Sequence, residues 1–499
     1  MSVDHDLAAL VREAQATGRI AGLPEQHFID GRFTAAVNGA RMETLDPGTG
    51  EAFASFAAGD AEDVDAAVRS AKAALRGPWR AMTPSQRGRL LSRIAEQIRA
   101  NAHRLAVVET LDSGKRLSEA QGDVAGAANT FEYYAGACDK HQGDSIPLGP
   151  DHLAYTLNEP AGVTAHIVPW NYPLSTAARG IAPALAAGCT VVVKPAEQTP
   201  LTALMLAGLC AHASLPAGVC NIVTGTGKAA GAALVRHPGV QHISFTGSVA
   251  TGIDVMQAAA PHITRLVLEL GGKSPVVVLA DADMDQAVEG VLDAIYENAG
   301  QICSAGSRLV IDRKIHQAFV ARLVARVEAM TLAHGLRDTG MGPVSSGGHR
   351  DKIAGYVDRA RERGVHVRTG GHARPDPLTD RGWFYEPTIL DDVPAADEAV
   401  QEEIFGPVLC VQVFDDLEEA TALANCTAYG LVAGVYTRDF SAAHRLARDI
   451  DAGQVFINEY FAGGIAVPFG GNKRSGFGRE KGMEALRSYS RIKSVAARI

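Results

Sequence analysis

The sequence predicts an α/β protein built on two open parallel sheets, with a small β-ribbon apart from both. Three observations predict it. From residue 160 onward, short β-rich runs alternate with Ala-rich runs of helical spacing, the signature of βαβ units. After Gly271-Gly272 the alternation starts afresh, which places a seam near 271 and makes two sheets. Residues 141–160 fit neither sheet; they are short, alternating and turn-flanked, as a β-ribbon is. At 499 residues the chain has room for roughly two to four domains and a sizeable core.

In chain order, residues 7–20 and 60–110 carry helical spacing, with Val64, Val68, Ala71 and Leu75 on one face and Leu90, Ile94 and Ile98 continuing it. Strands are expected at Val163–Val168, Thr190–Val193, Asn221–Val223, His242–Phe245 and Ile263–Leu268, with helices over 174–187, 200–212, 228–236 and 249–259 between them. Past the seam, strands are expected at Val276–Leu279, Leu309–Ile311, Val408–Phe414, Leu431–Tyr436 and Gln454–Ile457, with helices over 283–297 and 314–330. The division is therefore 1–140 with 160–270, then 271–471, with 141–159 and 486–499 forming the ribbon and a C-terminal strand.

Composition excludes several classes. Lys+Arg 47 against Asp+Glu 56 gives a net charge of −9, which disfavours a general nucleic-acid binder. The basic run from Lys473 is interleaved with Glu480 and Glu484 and reads as a solvated face. Seven cysteines, none in a C-x-x-C pair, argue against a disulfide framework and a zinc site, so no metal is expected and reduced cytoplasm fits best. The N-terminus Met1-Ser-Val-Asp-His-Asp lacks a signal-peptide head, and the longest apolar stretch, Ile181 to Val193, is too short and too broken to span a bilayer.

Six cysteines sit among apolar or small residues. Cys303 lies in the polar, Gly-rich loop Asn298-Ala-Gly-Gln-Ile-Cys303-Ser-Ala-Gly-Ser307 after an expected helix, where a thiolate can serve as a nucleophile. None of the 16 histidines stands in a comparable loop to act as its base. Glu269 ends an apolar strand before Leu270 and Gly271-Gly272; desolvation there raises a carboxyl toward a useful general base. A salt bridge to Lys273 is the competing role. Pro169-Trp170-Asn171-Tyr172-Pro173 is a rigid turn at a strand's C-terminal end, where α/β sheets place ligands. Its Asn amide can donate to a developing oxyanion, or simply hold the turn.

Three further signals follow strand ends. Lys194 and Glu197 can hydrogen-bond sugar hydroxyls, or be a charge pair before a helix that Thr199 caps and Pro200 opens. Gly225-Thr-Gly227-Lys-Ala-Ala-Gly231 departs from G-x-G-x-x-G by one extra residue. Phe245-Thr-Gly247-Ser248 enters a helix with small residues, leaving N–H groups for a pyrophosphate. Together with the turn at Asn171, they point to a dinucleotide site.

These residues resemble the NAD(P)-dependent aldehyde dehydrogenase superfamily. The resemblance runs from about Phe28 to the C-terminus through Pro-Trp-Asn171, Lys194-Pro-Ala-Glu197, Phe245-Thr-Gly247-Ser248, Glu269-Leu-Gly-Gly-Lys273, Gly300-Gln-Ile-Cys303, Glu402-Glu403-Ile-Phe405-Gly-Pro407 and Pro468-Phe-Gly-Gly471. It implies a variant Rossmann coenzyme domain over 1–140 and 160–270, a catalytic domain over 271–471, and an oligomerisation ribbon giving dimers or tetramers. It implies that Cys303 attacks the aldehyde, that the Asn171 amide and the Cys303 N–H hold the oxyanion, and that Glu269 activates water to release a free acid. For NAD, with NADP tolerated less well, it implies Lys194 and Glu197 at the adenosine ribose, Gly227 and Gly231 near the adenine, and Gly247 and Ser248 by the pyrophosphate. Glu403 falls to the nicotinamide ribose and Phe405 to the ring, with Ile167, Trp170, Phe245 and Leu270 completing the coenzyme set. The substrate tunnel would comprise Tyr172, Arg179, Glu297, Ile302, Ser304, Phe461, Gly463 and Phe469.

The chain departs from the family at two neighbouring positions. Gly180 stands where many relatives have Lys, which puts a relay from that Lys to Glu480 in question, and Arg179 stands where many have an aromatic residue. Tunnel charge is mixed, Arg179 against Glu297, so a plain aliphatic or aromatic aldehyde is the expected small-molecule partner, with no nucleic acid and no membrane. The alternatives are a CoA-acylating semialdehyde dehydrogenase of the same fold, and a non-catalytic protein that kept it.

Overall fold

The computed structural model describes residues 6–499; Met1–His5, on which the signal-peptide expectation falls, lie outside the described residues. Among the described residues no helix is long and apolar enough to cross a membrane.

The first sheet has eight strands in the order Arg32–Thr34, His27–Ile29, Cys220–Ile222, Thr190–Lys194, Val163–Ile167, His242–Thr246, Arg265–Glu269 and Gly476–Phe477. Its five central strands are parallel, and both edges are antiparallel. Counted along the chain from Val163, those five stand in the order 3-2-1-4-5, so direction reverses between Val163–Ile167 and His242–Thr246. A crevice opens outside the strand ends at such a switch point. The turns carrying Trp170-Asn171 and Gly247-Ser248 leave from its two sides.

The second sheet has seven strands in the order His366–Thr369, Thr388–Asp391, Val408–Phe414, Arg308–Asp312, Pro275–Val278, Val432–Tyr436 and Gln454–Ile457, parallel except at the His366–Thr369 edge. One sheet ends at Glu269 and the next begins at Pro275, so the seam spans five residues. The chain then returns: Gly476–Phe477 pairs with Leu268 and Glu269, which brings the first sheet a strand from beyond residue 471. The ribbon pairs Ser490–Arg498 with His152–Pro160, and that strand with Ser145–Ile146, all antiparallel. The C-terminal strand is shorter than the 486–499 expected, because residues 486–488 finish the helix Gly482–Ser488 with Leu486 buried.

Local chemistry explains the helices that frame the site. Ala61–Ala74 starts in a capping box between Asp60 and Asp63 and buries Val64, Ala67, Val68 and Ala71 at helical spacing. Pro84–Ala100 starts likewise at Thr83 and Gln86, and buries Leu90, Leu91, Ile94, Ala95 and Ile98. The helix Ala102–Ser113 is buried all round from Leu105 to Ser113, including Glu109 and Asp112. Their carboxyls reach two helix N-termini: Leu174 N–H donates to Glu109 at 3.3 Å, and Leu201 N–H donates to Asp112 at 3.0 Å. The cap expected from Thr199 is thus supplied by Asp112; Pro200 takes the cap position, and Thr199 Oγ1 is buried without a partner.

The extra residue between Gly227 and Gly231 also has a local outcome. Gly227–Gly231 forms one turn of π-helix, capped by Thr226, before Ala232–Val235 continues as α-helix. A π-turn absorbs one residue more than an α-turn.

Candidate active site

Two loops and the seam meet at the crevice. After the strand Val163–Ile167, the chain turns through Trp170 and Asn171 into the helix Pro173–Ala187, with Pro173 at its first position. Asn171 is buried, and its Nδ2 donates to the Gln301 carbonyl at 2.8 Å. Asn298 Nδ2 in turn donates to the Asn171 carbonyl at 3.1 Å. The Asn171 amide therefore holds its loop and still carries a second N–H.

The opposite loop is wound tightly. Asn298, Ala299 and Gly300 take φ of 48°, 53° and 72° in succession, a left-handed run that costs conformational energy at the two non-glycines. At 300 glycine is required twice over, since a Cβ would stand 2.2 Å from the Gly406 carbonyl oxygen. Gln301 Nε2 donates to the Asn298 carbonyl at 3.0 Å, and its Oε1 accepts from Ser345 N–H at 2.9 Å. The Tyr460 hydroxyl donates to the Ser304 carbonyl at 2.9 Å. At the seam, a Cβ on Gly272 would stand 2.5 Å from the Cys303 carbonyl oxygen, so the glycine pair lets the nucleophile loop lie against the crossover.

Cys303 is half-buried, and its thiol opens on a cavity of about 190 Å³. Asn171, Tyr172 and Arg179 line it from one loop and its helix; Glu297, Ile302 and Ser304 line it from the other; Phe461 and Phe469 close it. Gly463 does not line it. That residue turns with φ 99°, where a Cβ would stand 2.6 Å from Val467 Cγ2. The cavity also takes in Thr176 from the same helix as Arg179, and Asp123, Phe456 and Lys481 from other elements, none of which carries a local signal in the sequence.

Charge tunes these groups. Burial pushes the Cys303 thiol up to about 11, against the opposing pull of Arg179. Glu269 is fully buried with no hydrogen-bond partner on either oxygen; burial, and then Glu480, hold its carboxyl well above the usual range. A salt bridge to Lys273 is absent, and Lys273 Nζ is itself buried without a hydrogen-bond partner. The Glu269 carboxyl does not line the Cys303 cavity. A Cβ on Gly470 would be 2.8 Å from its Oε1. Glu480 accepts from Ser244 Oγ at 2.7 Å and is ion-paired to Arg179 Nε at 2.5 Å. Gly180 is glycine because a Cβ there would stand 2.5 Å from His166 Nδ1.

On the other side of the crevice a groove of about 900 Å³ is lined by Ile167, Glu197, Gly227, Gly231 and Phe245. Lys194 Nζ is paired to Glu197 at 2.8 Å. The Gly247 N–H is not free as expected, because it donates to the Glu269 carbonyl at 3.1 Å. Ser248 caps the helix Val249–Ala259, accepting from Thr251 N–H. Leu270 is buried against Gly252. Glu403 lies over the seam, accepting from Gly272 N–H at 2.9 Å, with burial raising its carboxyl to about 7. Phe405, at φ 60°, stands edge-on to Trp170 at 5.3 Å. His349, which the sequence did not single out, is 2.7 Å from the Phe405 carbonyl oxygen through Nε2.

A two-sheet α/β molecule that faces a loop thiol with a spare amide N–H, beside a long groove at the switch point, belongs to a defined class. The chain is a member of the aldehyde dehydrogenase family, whose model matches residues 33–495. It is 43% identical over 489 residues to the aminoacetaldehyde dehydrogenase of Pseudomonas aeruginosa, covering 97% of each chain. It is 42% identical over 472 residues to the betaine aldehyde dehydrogenase of Bacillus subtilis, covering 94% of this chain and 96% of that one. The structure of the NAD+ complex of aldehyde dehydrogenase from Bacillus cereus superposes with a TM-score of 0.93 at 41% identity, covering 95% and 96%.

Proposed function

We propose that the protein oxidises a small aldehyde to the free carboxylic acid with NAD, through a covalent adduct on Cys303. The observation that carries this reading is the shared cavity of the Cys303 thiol and the Asn171 amide, whose second N–H is uncommitted. The Cys303 thiol gives up its proton to water as sulfur attacks the aldehyde carbonyl, and the Asn171 amide and the Cys303 backbone N–H steady the oxyanion of the resulting thiohemiacetal. Loss of hydride leaves a thioester on Cys303. Glu269 then takes a proton from the water that cleaves it, and a carboxyl held above its usual range is the stronger base once ionised. For this the carboxyl swings toward the sulfur, and the missing Cβ at Gly470 leaves room beside its Oε1.

NAD, when bound, supplies the hydride acceptor. The groove fits it: small residues line one side, and the Lys194–Glu197 pair stands ready to meet ribose hydroxyls. Lys194 holds the Glu197 carboxyl low despite burial, so Glu197 is ionised and disfavours a 2′-phosphate. Gly227 and Gly231 then fall near the adenine, Gly247, Ser248 and Leu270 along the middle, and Trp170, Glu403 and Phe405 at the nicotinamide end. In these terms the first sheet is the coenzyme domain and the second the catalytic domain. The seven cysteines are all free, which supports a cytoplasmic setting.

Initial rates and product analysis test the reading. NADH should form with simple aldehydes, more efficiently from NAD than from NADP, and Cys303→Ala should lower kcat by at least about a thousandfold. Glu269→Gln should give a burst of about one NADH per site followed by slow turnover, since deacylation loses its base. If CoA accelerated turnover and acyl-CoA were the main product, hydrolysis by Glu269 would be the wrong assignment.

A further inference from the structure

The wall of the cavity formed by Arg179, Phe469 and Lys481 is the one part of it that the general chemistry does not use. Lys481 and Arg179 stand over the same Phe469 ring, at 5.1 Å and 5.3 Å from its centre. The backbone fixes this arrangement. Phe469 and Glu480 exchange both N–H···O bonds at 2.8 Å, and Lys481 follows with φ 57° and ψ 175°, a conformation lysine rarely adopts. Strain of this kind persists where the surroundings enforce it, and here it turns the lysine side chain into the cavity beside Cys303.

The two cations are not equivalent. Arg179 is balanced by Glu480. Among the described residues Lys481 Nζ has neither an ion pair nor a hydrogen bond, and its recorded contact is with the Phe469 ring. Neither lining carboxylate is ion-paired to Lys481. Asp123 is ion-paired to Lys115, and Glu297 stands 3.5 Å from the Tyr172 hydroxyl, with burial raising it to about 7. The wall at Phe469 is positive, and of its two cations only Arg179 is matched by an ion pair. A half-buried ammonium without a paired counter-charge is costly, and a substrate that brings a carboxylate supplies one.

We propose that Lys481, seconded by Arg179, selects aldehydes that carry a carboxylate, so that the substrates of this enzyme are small acidic aldehydes rather than neutral or cationic ones. The inference rests on the dehydrogenase reading above and names its substrate class. The cavity, at about 190 Å³, is below the roughly 300–1,000 Å³ of drug-sized pockets, which restricts the acid to a short chain.

Three aldehydes of equal length test it with the full-length enzyme and NAD: succinic semialdehyde, butanal and aminobutanal, ending in a carboxylate, a methyl and an ammonium. We expect kcat/KM for the acid to exceed both others by about tenfold or more, as a charge-assisted hydrogen bond allows. Lys481→Gln should reduce the acid-to-butanal ratio by about tenfold, mostly through KM, and Lys481→Arg should restore most of it. The proposal is overturned if butanal or aminobutanal matches the acid, or if Lys481→Gln leaves the ratio unchanged. NADH from butanal with no preference for the acid would sink this proposal alone; no NADH from any aldehyde would sink the dehydrogenase reading and this one with it.

Discussion

The thiol of Cys303 is built to be quiet at rest. Burial opposes its ionisation and lifts it to about 11, so near neutral pH the side chain is overwhelmingly the protonated thiol. A group with a raised pKa of this type ionises only as pH climbs toward that value. The rate of Cys303 alkylation by iodoacetamide in the coenzyme-free enzyme should therefore keep rising about tenfold per pH unit through pH 9, reaching a plateau only near 11. A plateau below pH 8 would show the thiolate to be stabilised at rest. Much of this site was legible at the residue level. Cys303, Asn171 and Glu269 each stood out because a polar loop, a proline-braced turn and a strand-ending carboxylate are local features. Lys481 did not, because its importance comes from a turn in the backbone and from Phe469, 12 positions earlier in the sequence.

At the scale of elements, the parallel strands and the helices between them were readable because fully buried strands are continuous β-branched runs. Val408–Phe414 and Gln454–Ile457 fall where their residues predict. The short strands His27–Ile29, Arg41–Asp46, Glu51–Ala57 and His366–Thr369 were not, since edge strands and hairpins of mixed polarity carry little periodic signal. Thr199 shows a different limit: a good cap residue in the right place lost the role to Asp112, which tertiary packing delivers from the helix Ala102–Ser113. Asp112 also accepts from the Thr44 hydroxyl at 2.6 Å. Asp112→Ala would leave the buried Leu201 N–H unsatisfied, while the Thr44 hydroxyl keeps the Gln198 carbonyl at 3.0 Å, at a cost of about 1–3 kcal/mol. A drop of about 2 °C or more in Tm is the expected result, with a smaller drop for Asp112→Asn, which keeps an acceptor. An unchanged Tm for Asp112→Ala would show that the helix Leu201–His212 does not depend on this cap.

For the whole molecule, the ribbon is the feature that a single chain leaves unfinished. Leu153, Tyr155 and Leu157 alternate along one face of His152–Pro160, opposite Ala497, Val495 and Lys493, and both leucines are substantially exposed. We propose that this face is covered by another copy, giving the homodimer or homotetramer implied by the family resemblance. Sedimentation velocity should find an assembly larger than a monomer, and the double change Leu153→Asp with Leu157→Asp should shift it toward smaller species. A wild-type protein that sediments as a monomer at micromolar concentration would refute the assignment.

The pairing of Gly476–Phe477 with Leu268 and Glu269 has a consequence in time. On the ribosome, the strand Arg265–Glu269 emerges about 200 residues before the segment that covers its outer edge. At roughly 5–20 residues per second, that edge stays bare for on the order of ten seconds or more, a long exposure for unpaired N–H and C=O groups. Glu480 and Lys481 are made in the same final stretch, so the growing chain holds Cys303 long before it holds the wall beside it. For the roughly 180 residues between Cys303 and Lys481, about a third of the chain, the nascent protein carries its nucleophile without a finished pocket, and without the burial that holds the thiol protonated in the folded enzyme.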